Sequence, residues 1–352
     1  MLIVLGTALV SKLILSNPSI MPDRFRGPLT GLLLVVLFVV IANASCSVVR
    51  HAEVLAHRLG EPYGTVILTL TAAGVEVIMM TVIALNGDFD PHIVKDTVYS
   101  TIMILLTGLL GGALWLGGLL HGEQQFNFKS SKSYQAVLFG MLGLALFLPT
   151  FAGHAVMKSI HGFLVPGFLV LYVVFLKLQV GRHSLFFRDA VEHSHSRSVS
   201  VHSTAYHVML LLLTVVAISV VSEFFAAGLD EETERLHLPV ALKGLIVAAL
   251  ICGPEGLTAL RAARRNELQR VVNILLGSAL STVALTVPAM LVVGWIKGVD
   301  FNFVLAPFEA VLLVVALGIL HITEAEGKTN VLDGVVQLIL FAAFVYFTFA
   351  PP

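Results

Sequence analysis

Two glutamates stand where a charge is most costly. Glu76 lies in the apolar run GTVILTLTAAGVEVIMM and Glu255 in GLIVAALICGPEGLTAL. An acid at the centre of a membrane helix costs on the order of 2.5–3.5 kcal/mol on insertion scales, so such residues are kept for what they bind. Carboxylate oxygens are hard ligands, and Ca²⁺ takes about 6–8 of them. One Ca²⁺ or two protons would neutralise the pair, so both cargoes compete for the same oxygens. An empty, doubly charged site is too costly to carry across, and each conformational switch then moves one cargo or the other. The alternative is that the two acids only hydrogen-bond neighbouring helices together. Helical spacing puts Thr65, Thr69 and Ala72 on the stripe of Glu76, and Gly244, Ala248, Cys252 and Thr258 on the face of Glu255. Gly253-Pro254 directly before Glu255 predicts a kink and a freed carbonyl. Arg261 follows six residues later, which puts Glu255 off-centre unless its helix continues past the kink.

Other polar side chains are secondary candidates for the pathway. Thr97, Ser100 and Thr101 after the first glutamate, and Asn273, Ser278, Ser281 and Thr282 after the second, offer neutral oxygens or interhelical glue. Glu53 and Glu223 fall near helix ends, where they line a path or snorkel, and Glu309 and His321 fall within one late span. Gly108 and Gly112 form a small-xxx-small pair suited to helix packing. The acidic run from Asp230 to Glu234 reads as a solvated face.

These residues need a membrane-spanning frame, and the composition supplies one. Of 352 residues, 57% are hydrophobic and 12% charged, with a mean hydropathy of +0.93. That is half the charge of a soluble domain, so a soluble enzyme and a disordered chain are excluded. With 21 basic against 22 acidic residues, no basic field exists for a nucleic acid. Cys46 and Cys252, both in apolar runs, make no disulfide or zinc framework. Stretches of about 20 apolar residues mark spans near 1–16, 28–49, 62–86, 97–120, 133–152, 160–180, 206–228, 239–261, 271–296, 303–323 and 330–349. The expected fold is therefore all-α and polytopic, with eleven helices. The first is read as a retained span, because it lacks a basic n-region.

Sorting loops onto alternating faces tests orientation. Arg50, Arg58, Lys129, Lys132, Arg182, Arg188, Arg197, Arg261, Arg264, Arg265, Arg270 and Lys328 share one face. Arg24, Arg26, Lys95, Lys158, Arg235 and Lys297 share the other. The richer face is expected to be cytoplasmic, with the N-terminus inside and the C-terminus outside an inner (plasma) membrane. The link 181–205 carries His183, His193, His195 and His202 among many serines and reads as a cytoplasmic linker, with metal sensing as the alternative.

Each half also repeats a pattern: a polar helix end, a polar link, then a helix with a deep glutamate. Five spans per half force the second copy to enter from the opposite side, which is an inverted repeat around a midplane site. The expected division is a leading helix and loop (1–27), a five-helix repeat (28–180), the linker (181–205) and a second repeat (206–352). No H-E-x-x-H, G-x-S-x-G or Walker A pattern occurs, so an intramembrane enzyme is a remote alternative and no cofactor is expected. The expected partners are cations, protons and the bilayer, and the sequence leaves open whether the chain forms a homo-oligomer.

At these residues the chain resembles bacterial calcium/proton antiporters of the cation/proton exchanger family, within the calcium/cation antiporter superfamily. The resemblance rests on SVVRHAEVLAHRLGEPYGTVILTLTAAGVEV (47–77), GPEGLTALRAARRNELQRVVNILLGSALSTVALTVPA (253–289) and EGKTNVLDG (326–334), and covers nearly the whole length. It implies one leading helix before two inverted five-helix repeats. It also implies that Glu76 and Glu255 bind the cation and exchange it for protons, and it places the family's glycine-serine segment on Gly277-Ser278. Many relatives carry Gly-Asn-Ala before the glutamate and often a histidine after it. Here Ala-Gly-Val precedes Glu76, Gly-Pro precedes Glu255, and Val77 and Gly256 follow. A side-chain amide beside each glutamate is therefore missing, which leaves Na⁺ or K⁺ exchange against protons as the alternative to Ca²⁺.

Overall fold

The computed structural model describes residues 23–59, 63–85, 92–152, 154–181, 187, 203–301, 303–324 and 327–349. Apolar runs of this length satisfy their backbone groups internally only as helices when water is absent, and helices form throughout. In order they are α1 (Asp23–Leu59), α2 (Tyr63–Leu85), α3 (Ile93–Met103), α4 (Leu110–His121), α5 (Phe128–Leu142), α6 (Leu148–Ala152) and α7 (His154–Val180). There follow α8 (Thr204–Arg235), α9 (Val240–Arg264), α10 (Leu268–Ser281), α11 (Val287–Lys297), α12 (Pro307–Thr323) and α13 (Val331–Phe349). Three π-helical segments, Ile104–Leu109, Gly143–Phe147 and Thr282–Thr286, join α3 to α4, α5 to α6 and α10 to α11 without ending the span. Among the described residues, eight helices are long and apolar enough to cross a membrane, and Thr69–Leu85 and Pro307–Thr323 are shorter apolar helices. The expected span at 1–16 and the four linker histidines lie outside the described residues.

Local chemistry sets several boundaries. The Ser203 side chain accepts the Tyr206 N–H at 3.2 Å to start α8, and Asn127 accepts the Lys129 N–H at 3.0 Å to start α5. Gly298, at φ +69, ends α11 in the left-handed region. Two helices outrun their apolar spans. α1 continues ten residues past the span at 28–49, to Leu59, because VRHAEVLAHRL keeps helix-forming residues after the apolar run stops. α8 likewise runs through the acidic stretch to Arg235, where Glu232 is buried and paired with Arg235, and Asp230 meets Lys243 at 2.7 Å. The run is thus only partly a solvated face.

α1 and α8 lie along each other and both touch α2. α9 packs on α3, α10 packs on both α9 and α5, and α4 packs on α13. Every residue of α3 is buried, while Leu32, Val35, Leu212, Val216 and Ile339 project outward as an apolar surface suited to lipid. Two-residue strands β1 (Gln124–Gln125) and β2 (Lys328–Thr329) pair antiparallel and tie two connections on the arginine-rich face. Cys252 is buried, Cys46 is partly buried, and both are free thiols.

The tightest crossing is α4 on α13. A Cβ at Gly334 would lie 2.3 Å from the Trp115 nitrogen, and one at Gly111 2.9 Å from the Gln337 Cβ. Gly112 meets only Leu260, at 3.9 Å, so the packing glycines here are Gly111 and Gly334, alongside Gly108 against Phe341. Gly334→Ala should lower stability by about 1–3 kcal/mol, read as a fall in melting temperature of the detergent-solubilised protein. Gly140→Ala, with nothing within 4 Å of the new Cβ, should not.

Candidate functional site

Glu76 comes from the middle of α2 and Glu255 from α9, and both line one small cavity of about 30 Å³. That volume is enough for about one water or ion. Serine hydroxyls complete the wall: Ser45 from α1, and Ser278 and Ser281 from α10. Pro254 does not end the helix. α9 runs as one helix from Val240 to Arg264, which places Glu255 near its middle and removes the off-centre difficulty. Thr258 bonds back to the Pro254 carbonyl at 2.9 Å, whereas the carbonyl that the proline deprives of its helical donor lies four residues earlier, at Leu250.

The Glu76 carboxylate is 6% exposed and accepts the Thr282 hydroxyl at 3.1 Å through Oε2. Its Oε1, like Oε2 of Glu255, is sealed from solvent and has no hydrogen-bond partner among the described residues. Buried carboxylate oxygens without protein donors are rare, and such an oxygen is suited to take a cation, a water or a proton. The two carboxyls are near enough to interact electrostatically, and Thr286 also approaches Glu76. Among the described residues there is no group of three His, Cys, Asp or Glu side chains that could hold a metal. The chemistry on offer is two acids with hydroxyl oxygens, the hard set suited to Ca²⁺, Na⁺ or a proton rather than to a transition metal.

A wider cavity of about 320 Å³ leads from Glu255 past Thr69, Tyr134 and Ser278 to Gln179, Asn273 and Arg270. It shares Glu53, Thr258 and Arg270 with a second chamber, of about 280 Å³, walled by Arg50, Arg261, Arg265 and Glu267. The carboxylates are therefore approached from the arginine-rich face. Glu53 borders both chambers, and Asn273 donates to the Phe187 carbonyl at 2.6 Å while lining the first. Thr101 is buried beside Cys252 rather than in either chamber.

Three predicted candidates lie elsewhere. Glu223 is exposed on α8. His321 bonds Gln135 at 3.0 Å on the arginine-rich side, outside both chambers. Glu309 belongs to a buried ion cluster: Lys95 Nζ sits 3.0 and 2.9 Å from its two oxygens and 2.5 Å from Asp96 Oδ1. Glu309 also accepts the Ala306 N–H at 2.8 Å, capping α12. Sequence reasoning missed this cluster because Lys95 reads as a loop cation and stands 214 positions from Glu309. It also missed Glu324, a buried acid just past α12. A charged residue at the end of an apolar run is ordinarily solvated, and nothing local marks this one as different.

A model of the family described as "Sodium/calcium exchanger protein" matches residues 29–181 and 206–350. The chain is 38% identical over 317 residues to the sodium-potassium/proton antiporter ChaA of Escherichia coli (strain K12), covering 88% of this chain and 87% of that one. It is 24% identical to a Ca²⁺/H⁺ antiporter of Aphanothece halophytica over 76% of this chain and 77% of that one. In fold it is similar to native YfkE, with a TM-score of 0.76 at 18% identity across 99% of both chains. It is similar also to the H⁺/Ca²⁺ exchanger CAX, at 0.68 and 15% identity over 98% of this chain and 87% of that one. These relatives are secondary transporters, not enzymes. The chain is an integral membrane transporter, and it belongs to the sodium/calcium exchanger family.

Proposed function

We propose that this chain exchanges Ca²⁺ for protons by alternating access, with Glu76 and Glu255 as the shared site. The observation that carries the reading is one small cavity receiving a carboxylate from each of two helices, each with a donorless oxygen. Ser278 and Ser281 line the cavity, Thr282 bonds Glu76, and Thr69, Asn273 and Glu53 line the approach. Thr101, Glu223, Glu309 and His321 have no part in it.

In this reading the arginine-rich face is cytoplasmic, the membrane is the inner (plasma) membrane, and the vestibule receives Ca²⁺ from the cell. The N-terminus is then cytoplasmic and the C-terminus outside. The division into 1–27, 28–180, 181–205 and 206–352 goes with it, the two five-helix units being inverted copies. The corresponding π segments, Ile104–Leu109 and Thr282–Thr286, support that pairing, since each interrupts the span after a glutamate helix.

Everted vesicles with an imposed acid interior test the proposal. Added Ca²⁺ should release protons and collapse the gradient. The second reading is Na⁺ or K⁺ exchange against protons, favoured by the 38% identity to a sodium-potassium/proton antiporter. Vesicles that respond to Na⁺ or K⁺ and ignore Ca²⁺ would establish it instead.

A further inference from the structure

We propose that Glu324 is a proton-binding positioning residue, which adjusts the polar wall of the vestibule to the pH on the arginine-rich face. The second half of this statement rests on the vestibule being the transport path; the first does not.

Glu324 directly follows α12, outside the membrane-spanning helix, and is 1% exposed. Its Oε2 accepts the Ser131 hydroxyl and, at 2.8 Å, the Gln135 amide; its Oε1 is sealed and has no hydrogen-bond partner among the described residues. No cation among the described residues reaches it within ion-pair distance. From α12, His321 is spent on Gln135 at 3.0 Å. From β2, Lys328 points out to Glu123 at 3.4 Å. From α5, Lys132 lies over the Phe128 ring, 5.7 Å from its centre. From α13, Asp333 caps the Asn330 N–H at 2.9 Å, and Glu326 of the connection lies outside the described residues. A sealed carboxylate without a counter-charge is neutralised by a proton. Burial pushes the Glu324 carboxyl up to about 7, against the downward pull of Ser131 and Gln135.

The proton's effect has a route to the vestibule. Ser131 is chain neighbour to Ser130, whose hydroxyl accepts the Gln269 amide at 2.9 Å. The same amide donates to Asn273 Oδ1 at 3.0 Å, and Gln269 Oε1 accepts the Asn127 N–H at 2.7 Å. Asn273 borders the chamber that leads to Glu255. Ionisation leaves a bare negative oxygen in a sealed pocket. The relief open to it is to redirect its donors Ser131 and Gln135. That change pulls on the first turn of α5 and through it on Gln269 and Asn273.

Infrared difference spectra of the full chain test proton binding without transport. In a Glu76→Gln, Glu255→Gln background, a protonated-carboxyl band should fade with a midpoint at about 7 and be missing once Glu324→Gln is added. In vesicles at constant pH difference, the wild-type exchange rate should change about threefold across one pH unit centred on that value, following the protonated fraction. Glu324→Gln should remove that component and leave only the pH dependence of the transport site, and Gln135→Ala, which removes a donor that favours the charged form, should move the component upward. Thermal melting covers a variant that folds poorly. Because the carboxyl is raised on folding, its proton stabilises the wild type fully below the ordinary carboxylate range. That advantage is lost as pH rises through about 7, so wild type minus Glu324→Gln should fall over this window. A band unaffected by Glu324→Gln, or a rate profile that the substitution leaves identical to the wild type, overturns the proposal. If no cation moves protons at all, the transport reading fails while the infrared result still stands.

Discussion

Glu255→Gln and Glu76→Gln should each reduce cation-driven proton movement at least ~100-fold in everted vesicles while leaving the protein folded and inserted. Each change removes one of two charges from a site whose cargo must be neutralised there. Losing a charge-assisted ligand of about 3 kcal/mol is worth roughly two decades. The fold should survive for a specific reason. Glutamine keeps the shape, and its amide oxygen can still accept the Thr282 hydroxyl that Glu76 accepts at 3.1 Å. Removing a buried charge costs nothing in desolvation, so melting temperatures should hold or rise. Glu76→Asp and Glu255→Asp keep the charge but retract it by one methylene, and should show weakened rather than abolished exchange. Full exchange in both glutamine variants would move the site away from this cavity altogether.

The second large effect is on stability, at the buried ion cluster around Lys95. Lys95→Met should cost about 3–5 kcal/mol, because it leaves Asp96 and Glu309 facing each other with no cation between them. All three side chains are nine-tenths buried or more, at 9% exposure for Lys95, 8% for Asp96 and 7% for Glu309. Water therefore cannot take over the role of the ammonium. Adding Asp96→Asn and Glu309→Gln to Lys95→Met should restore most of the loss, since a neutral polar set no longer needs a counter-ion. Melting of the single and triple variants in detergent reads this directly. A Lys95→Met protein as stable as the wild type would mean that the cluster is hydrated or already neutral.

The sequence showed the spans clearly because their signal is local: twenty apolar residues in a row have few alternatives. It showed Glu76 and Glu255 for the same reason, as charges that break such a row. What it hid was relational. Lys95 and Glu309 stand 214 positions apart, and no spacing rule connects them, so Glu309 was grouped with the pathway rather than with its ion partner. Pro254 predicted a kink, and the helix continues through it, because a proline removes one hydrogen bond without forcing the rest of a well-packed helix apart. Glu324 was invisible because its burial depends on α5 lying across it, and nothing in EAEGKTN reports that neighbour.

The π segments set the register of the helices that follow them. A π turn closes one residue later than an α turn, so it absorbs an extra residue without breaking the helix, and everything downstream is turned by about 100°. In Thr282–Thr286 that surplus residue sets which side of α11 looks inward: Met290 is fully covered, while Trp295 is 50% exposed to the lipid side. Excising Ala284 would leave a continuous helix of equal hydrophobicity, yet swing Met290 out and a lipid-facing residue in.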